Sequence, residues 1–527
     1  MAQATGAARG APGARSENRQ RASERCAIRP RMPLDEDRCW EAMASRDRRF
    51  EGRFVAAVLS TGVYCRPGCP ARLPRRANVR FYPHAAAAQA AGFRACLRCR
   101  PEVAPGQPAS AGTSATVARA LRLIAEGALD GASLSVLSDR LGVGSRHLTR
   151  LFRAHLGVAP GAVARARRIH FARRLLDDTD LGMAEVAFAA GFGSVRRFNE
   201  ALRGAFGRPP GALRARRRGE PGPGLRVSLP YRPPLDWQAL LAFLRARAVP
   251  GVERVERDRY LRTVSTPEGP AVLEVQHAAG DALLARLDPP RPSALLEIAS
   301  RVRRVFDLDA DPEAVARALG RDPLLGPAVR ARPGLRVAGA WEPFEGLVRA
   351  VIGQQVSVAA AARLSGRLAA RLGAPVRLLA GEGLTHLFPG PQALAAADPG
   401  AFPLPAARAR ALIALAGRVA RGELTLAAGS SLEATLAALR GQPGVGPWTA
   451  QVVAMRALGE PDAFPAGDLS LRRALGAEGA PAGEAEVASR GEAWRPWRAY
   501  AVQHLWAMDA ASGTRQRTAP QAPMLSP

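Results

Sequence analysis

The chain has 527 residues, 47% of them hydrophobic, more than one core organises, so several domains are expected. Its 75 basic residues outnumber 46 acidic ones for a formal net charge of +29, and all of them are arginine, because the chain contains no lysine. Codon bias accounts for the missing lysine as well as selection does, but the charge acts whatever its origin and predicts a polyanionic partner. Six cysteines in so long a chain exclude a disulfide scaffold, and no secretory or membrane-spanning apolar run is present. The expectation is a reduced, cytoplasmic, nucleoid-associated monomer with no membrane partner.

Residues 1–33 are rich in Ala, Gly and Arg without apolar periodicity and read as a disordered tail, as do residues 511–527. Between them the first chemistry is a cysteine quartet over 34–104. Cys65-x3-Cys69 and Cys96-x2-Cys99 are two close pairs, and four thiolates satisfy one tetrahedral Zn2+. Cys26 and Cys39 lack such pairing. Thr61-Gly62-Val63-Tyr64-Cys65-Arg66-Pro67-Gly68-Cys69, Phe81-Tyr82 and Ala91-Gly92-Phe93-Arg94-Ala95-Cys96 resemble the zinc domain of the Ada methylation sensor. The resemblance implies that Cys65 is both a zinc ligand and the acceptor of a methyl group from a DNA methylphosphotriester. Methylating one sulfur of a Zn(Cys)4 centre lowers its charge from about −2 to about −1 and weakens its repulsion from phosphate. A purely structural zinc knob is the other reading.

A Pro/Gly/Ser/Ala stretch over 105–114 reads as a linker. Over 114–217 the chain twice shows an apolar helix, a Gly-containing turn and an Arg-rich helix. The first unit is Leu134–Leu141, Gly142-Val143-Gly144 and Ser145 to Phe152; the second is Met183–Ala190, Gly191-Phe192-Gly193 and Ser194 to Asn199. In each, the serine is placed to N-cap the second helix, whose arginines Arg146 and Arg150, or Arg196 and Arg197, are candidate DNA contacts. Ala189 to Ser194, Phe198, and Phe206-Gly207-Arg208-Pro209-Pro210 resemble the AraC/XylS DNA-binding domain. That resemblance implies promoter binding, with RNA polymerase as a candidate partner.

A second break, Arg216 to Gly224, precedes a mixed region over 224–310. Strands are predicted at Leu225–Leu229, Tyr260–Val264 and Ala271–Val275, and a helix at Trp237–Arg247. Over 311–510, long Ala/Leu/Arg segments of helical period predict an all-α bundle. The fold class is therefore multidomain and mainly α: a small α/β zinc domain, a double helix-turn-helix domain, an α+β domain and an all-α domain.

In the last of these, Gln442 to Pro447 breaks the helical period between two helices. Gly444-Val445-Gly446 is a hairpin whose bare backbone can approach a DNA phosphate, at the positive end of the following helix. Asp468 stands 22 residues after Gly446. On spacing alone it is equally an N-cap or a catalyst. Leu229-Pro230-Tyr231-Arg232-Pro233-Pro234, Ile352-Gly353-Gln354-Gln355-Val356-Ser357 and Trp494-Arg495-Pro496-Trp497 resemble AlkA-type 3-methyladenine-DNA glycosylase II of the helix-hairpin-helix superfamily, over about residues 224–510.

That resemblance implies that Asp468 is the catalytic aspartate, Gln355 the wedge filling the space of a flipped base, and Trp506, Trp448 and Phe243 the lesion pocket. It also makes the hairpin a candidate site for a monovalent cation; no organic cofactor is implied. Val452 and Leu469 stand where relatives carry aromatics. The residue two past Gly446, where lyase relatives place a Schiff-base lysine, is Trp448, so water attacks the sugar and an intact abasic site remains. The leading expectation is a monofunctional alkylpurine glycosylase fused to a methyl sensor and transcription regulator. The alternative is a regulator whose glycosylase-like region only binds damaged DNA.

Overall fold

The computed structural model describes residues 34–99, 115–214, 224–377, 383–427, 431–476 and 480–518, with Met32 and Pro101. The expected N-terminal tail, both linkers and residues 519–527 lie outside these residues almost entirely. The last helix, Arg498–Thr518, runs past residue 510, where the sequence reading began a tail. An Ala-rich stretch with strong helix formers tolerates a single glycine, whose cost is only about 1 kcal/mol.

The cysteine block is a four-stranded sheet in the order β3-β1-β2-β4: β1 Val55–Val58, β2 Val63–Cys65, β3 Val79–Tyr82 and β4 Arg94–Ala95. β2 and β4 run parallel, so the two cysteine pairs, one at the end of β2 and one just after β4, emerge at the same sheet end. His84 caps the helix Ala85–Ala90, its Nδ1 accepting the Ala86 N–H at 3.0 Å. His170, from the helix Pro160–Asp178, meets Tyr64 Oη at 3.3 Å.

Burial holds His84 down to about 4 and His170 down to about 3, the latter also through the charges of His84 and Arg174. Unfolded imidazoles titrate near ~6.5. With the folded values depressed, the unfolded chain binds more protons, so this stability is complete above the unfolded value and drains as pH falls toward the folded ones. By pH 5 the expected loss is about 1–2 kcal/mol per ring. His84→Asn keeps a capping acceptor that does not titrate, so its thermal midpoint should fall less steeply than wild type between pH 7 and pH 5; parallel slopes would contradict this.

The helical block has its two units joined by Pro160–Asp178. The second helices are Ser145–Leu156 and Val195–Phe206, each burying a stripe of Leu and Phe: Leu148, Phe152 and Leu156 in one, Phe198, Leu202 and Phe206 in the other. Ser194 caps its helix by accepting the Arg197 N–H at 3.3 Å. Ser145 does not cap: it is the first helical residue, Gly144 precedes it as cap, and its hydroxyl meets Ser138 Oγ at 2.7 Å. A serine partner on the preceding helix offered a better-placed contact than the helix's own N–H groups.

The mixed region is an antiparallel sheet in the order β5-β9-β8-β7-β6: β5 Leu225–Pro230, β6 Glu253–Glu256, β7 Arg259–Val264, β8 Ala271–Ala278 and β9 Ala282–Asp288. β6 and β9 add to the three strands expected. β6 escapes an apolar reading because it is charged; in register it sets Glu253 opposite Arg262 and Glu256 opposite Arg259. The helix Trp237–Arg245 is capped by Asp236, which accepts the Ala239 N–H at 2.9 Å.

Two apolar cores build the helical domain around the cleft, one around Leu325, Leu471 and Leu505 and one around Leu347, Leu412 and Val453. The helix Pro447–Arg456 serves both, giving Ala454 and Met455 to the first and Ala450, Val452 and Val453 to the second. Its N-terminus carries the hairpin, so the hairpin backbone is anchored in both halves. A buried network ties this domain to the sheet: Arg262 to Glu345 at 2.9 Å, and Arg349 to Glu345 at 2.9 Å and Glu253 at 3.0 Å. Burial alone raises Glu253, but Arg349 and Arg262 outweigh it and hold the carboxyl below its ordinary value. Among the described residues no helix is long and apolar enough to cross a membrane.

Candidate active site and thiolate centre

The thiols of Cys65, Cys69, Cys96 and Cys99 lie within 4.8 Å of one another. Neighbouring sulfurs on a tetrahedral Zn2+ with Zn–S bonds of about 2.3 Å stand about 3.8 Å apart, so the quartet fits zinc. Cys65, Cys69 and Cys99 are buried, and no carboxylate or imidazole joins the cluster among the described residues. Hydrogen bonds with Cys65 and Cys99 hold Cys69 down to about 7 against that with Cys96, the other three thiols push Cys96 lower, and the same network pushes Cys65 up. Four sulfurs this close suit one divalent cation, whose charge favours the thiolate form of its ligands. Cys39 stands apart, buried and raised to about 12, chiefly by burial. Next to the centre, Arg66 reaches the buried carboxylate of Glu51 at 2.9 Å.

The catalytic candidate is built where two helices meet. Gly444, with φ of 77°, turns the chain between the helix Leu432–Arg440 and the helix Pro447–Arg456, and Gly446 caps the latter with open space where a side chain would sit. Val445 between them is buried and anchors the turn. The Gly444 carbonyl accepts from Gln354 Nε2 at 2.8 Å, and the same amide reaches Thr449 Oγ1 at 2.9 Å.

Asp468 is the N-cap of the helix Leu469–Leu475, as the first of its two sequence readings has it. Its Oδ1 accepts from Ser470 N at 3.0 Å, Leu471 N at 3.3 Å and Trp506 Nε1 at 3.0 Å. Its Oδ2 accepts from Trp448 Nε1 at 2.9 Å. The two tryptophans therefore turn their N–H edges to the aspartate, a contact that spacing does not reveal. Both line a cleft of about 380 Å³ together with Arg247, Arg349, Val356, Val452, Arg456, Ser470 and Asp509.

Phe243 lies outside the cleft lining, behind Trp506, with the ring centroids 6.1 Å apart and the planes 17° from parallel. The guanidiniums of Arg247 and Arg456 also cover it, at 3.7 and 4.9 Å from its centroid. Gln355 is exposed, next in the chain to the cleft-lining Val356, in a left-handed conformation, φ 60°, between the helices Pro343–Ile352 and Val358–Leu372. A non-glycine residue held there costs of order 1–3 kcal/mol, the kind of strain that gathers at ligand clamps. Val452 and Ser470 both line the cleft, and Leu469 is half exposed beside the aspartate.

The sequence reading missed Arg247, Arg349 and Arg456. Burial, then the charge of Arg349, pulls Arg247 down to about 10 against the attraction of Asp468; burial, then Arg247 and Arg349, pulls Arg456 down to about 9. On the helix-turn-helix block, Arg146, Arg150, Arg196 and Arg197 are all exposed. Arg150 Nη2 meets His147 Nδ1 at 2.9 Å, and Arg196 pairs with Glu200 at 3.0 Å, 88% exposed, a contact worth little.

A thiolate centre, paired helix-turn-helix units and a hairpin beside a clamped aspartate define a DNA-damage response protein of fused modules. The family descriptions that match are the metal binding domain of Ada over residues 38–102, a helix-turn-helix domain over 137–216 and the AlkA N-terminal domain over 226–342. The chain is 47% identical over 482 residues to the probable bifunctional transcriptional activator/DNA repair enzyme AlkA of Mycobacterium tuberculosis, covering 90% of this chain and 97% of that one. It is 37% identical over 292 residues to DNA-3-methyladenine glycosylase 2 of Escherichia coli, 53% of this chain and 96% of that one. It is 40% identical over 149 residues to the bifunctional transcriptional activator/DNA repair enzyme Ada of Escherichia coli, 28% of this chain and 40% of that one. The chain belongs to the family of bifunctional transcriptional activator/DNA repair enzymes of AlkA type.

Proposed function

We propose that this protein removes alkylated purines from duplex DNA and separately accepts a methyl group on Cys65. The observation that carries the first activity is the Asp468 carboxylate, fixed by two indole and two backbone N–H groups on the wall of a cleft beside the hairpin. A stacked base is out of its reach, so the nucleotide must flip out at a cost of a few kcal/mol, with Gln355 filling the vacated space. N-alkylation makes the purine a cation, and it leaves as a neutral base when the glycosidic bond electrons move onto it. Asp468 stabilises the oxocarbenium-like sugar that remains and orients a water, whose oxygen bonds C1′ and whose proton passes to the carboxylate and then to solvent. Trp448 stands where an amine nucleophile would be, so the product is an intact abasic site.

At the second centre, the Cys65 sulfur attacks the methyl carbon of a methylphosphotriester; the O–CH3 bond breaks and its electrons stay on the phosphodiester oxygen. Zinc on the quartet supplies charge that keeps the thiols deprotonated. The exposed arginines of the two recognition helices then serve a promoter, with RNA polymerase as partner and the chain acting as a monomer. A monovalent cation at the hairpin would use its turn carbonyls, of which the Gly444 oxygen already accepts from Gln354.

Incubating the purified protein with methylated duplex DNA tests both centres. Chromatography should show 3-methyladenine and 7-methylguanine released without strand scission, and peptide mass spectrometry should find one methyl group on Cys65. Absence of released base would leave the binding-only reading standing; absence of the methyl group would leave a structural zinc centre.

A further inference from the structure

Three guanidiniums line the cleft, and they are not equivalent. Arg349 is compensated by Glu253 and Glu345, and its remaining terminal nitrogen donates to the Arg247 carbonyl at 2.6 Å. Arg247 gives one hydrogen bond, from Nη1 to the Phe243 carbonyl at 3.3 Å; Arg456 gives one, from Nε to the Ala338 carbonyl at 3.0 Å. Neither has a carboxylate within ion-pair distance among the described residues, although Asp468 and Asp509 line the same cleft. Two partly buried guanidiniums side by side, neither in an ion pair, are costly, and burial and their mutual repulsion outweigh the attraction of Asp468, Glu253 and Glu345. Phe243 holds both in place by its ring, which leaves N–H groups without protein partners at the cleft wall.

We infer that Arg247 and Arg456 are specificity-determining residues that read an exocyclic carbonyl oxygen on the flipped base. A guanidinium is donor-only, so it matches O6 of a 7-alkylguanine or of hypoxanthine and finds no oxygen on 3-methyladenine or 1,N6-ethenoadenine. Position favours the base over a phosphate. Arg456 also bounds a second cavity on the other side of the wall, with Met455, Gly459 and Tyr500, which puts it at the cleft floor rather than at the DNA-facing mouth. The two charges also oppose entry of a cationic base, so the carbonyl contact offsets a repulsion that 3-methyladenine meets in full.

The inference rests on the glycosylase reading, and two matched pairs of bases separate their failures. The two cations, 7-methylguanine and 3-methyladenine, are followed from methylated duplex DNA by chromatography. The two neutral bases, hypoxanthine and 1,N6-ethenoadenine, are followed in duplex oligonucleotides by single-turnover release. Arg247→Met and Arg456→Met should each slow release of the carbonyl-bearing member at least about tenfold more than its mate, the scale of one lost guanidinium contact. Arg247→Gln, which keeps an amide donor and the fold, should retain part of the ratio. An equal fall for all four bases, with a shallower salt dependence, would mean a phosphate contact and overturn the inference, as would an unmoved ratio in all three variants. Wild-type protein that releases none of the four sinks the glycosylase reading and this inference with it.

Discussion

Asp468→Asn should lower release of 3-methyladenine from methylated DNA by about 10²–10⁴-fold, the range for losing a positioned acid–base group, while affinity for duplex DNA stays within a few-fold. The two effects separate because different atoms carry them. On the proposed reading binding uses the backbone of Gly444 to Gly446 and the helix end at Pro447, and Asp468 caps a different helix. The asparagine carbonyl can still accept from Ser470 N, Leu471 N and Trp506 Nε1, so the helix Leu469–Leu475 keeps its cap. Its amide nitrogen, however, then faces Trp448 Nε1, donor against donor at a site where 2.9 Å now separates donor from acceptor. That mismatch is worth about 1–3 kcal/mol and marks the stability cost separately from the catalytic one. Trp448→Phe, which removes the donor and keeps a ring, should cost only about ten- to hundredfold in release. If Asp468→Asn releases base at the wild-type rate, the aspartate is a cap and nothing more, and the binding-only reading is correct.

What the sequence disclosed about this site was its local part. The hairpin, the quartet and the distance from Gly446 to Asp468 are patterns along the chain: the quartet stands out because there are only six cysteines, and the hairpin because it breaks the period between two helices. The clamp was not visible, because Trp448 and Trp506 stand 20 and 38 residues from Asp468 and meet it only through the packing of three helices. Arg247, Arg349 and Arg456 were hidden for a different reason. They come from the loop after one helix and from two other helices, and in a chain with 75 arginines three more carry no signal. Glu253 to Glu256 was unreadable as a strand because its charges find opposite partners across β7 rather than an apolar face.

The contact that joins the modules was equally hidden, and its removal should have the largest effect on stability. Glu460 is 2% exposed and lies just beyond the helix that begins at the hairpin, its N–H bonded to the Ala454 carbonyl at 2.9 Å. It accepts both arms of Arg119, at 3.0 and 3.2 Å, and Arg122 at 2.9 Å, both from the helix Ala115–Ala125 of the helix-turn-helix block. Nearby, Arg304 pairs with Glu126 at 2.9 Å and Ser300 Oγ donates to the Ala125 carbonyl at 2.7 Å. Glu460→Ala removes the buried carboxylate that Arg119 and Arg122 share, at an expected cost of about 3–5 kcal/mol in denaturant unfolding. Adding Arg119→Met to Glu460→Met should recover most of it, because the penalty belongs to the charge left behind rather than to the pair. A Glu460→Ala protein as stable as wild type would mean that the helix-turn-helix block does not dock on the glycosylase domain in solution. If the loss appears, the docking is real, and it bears on the proposed repair activity: the docked helix braces the far end of the same helix whose near end carries Gly446 and the hairpin. Base release by Glu460→Ala below its unfolding temperature should then fall relative to wild type, because the helix it braces carries both Gly446 and Trp448, the partner of Asp468.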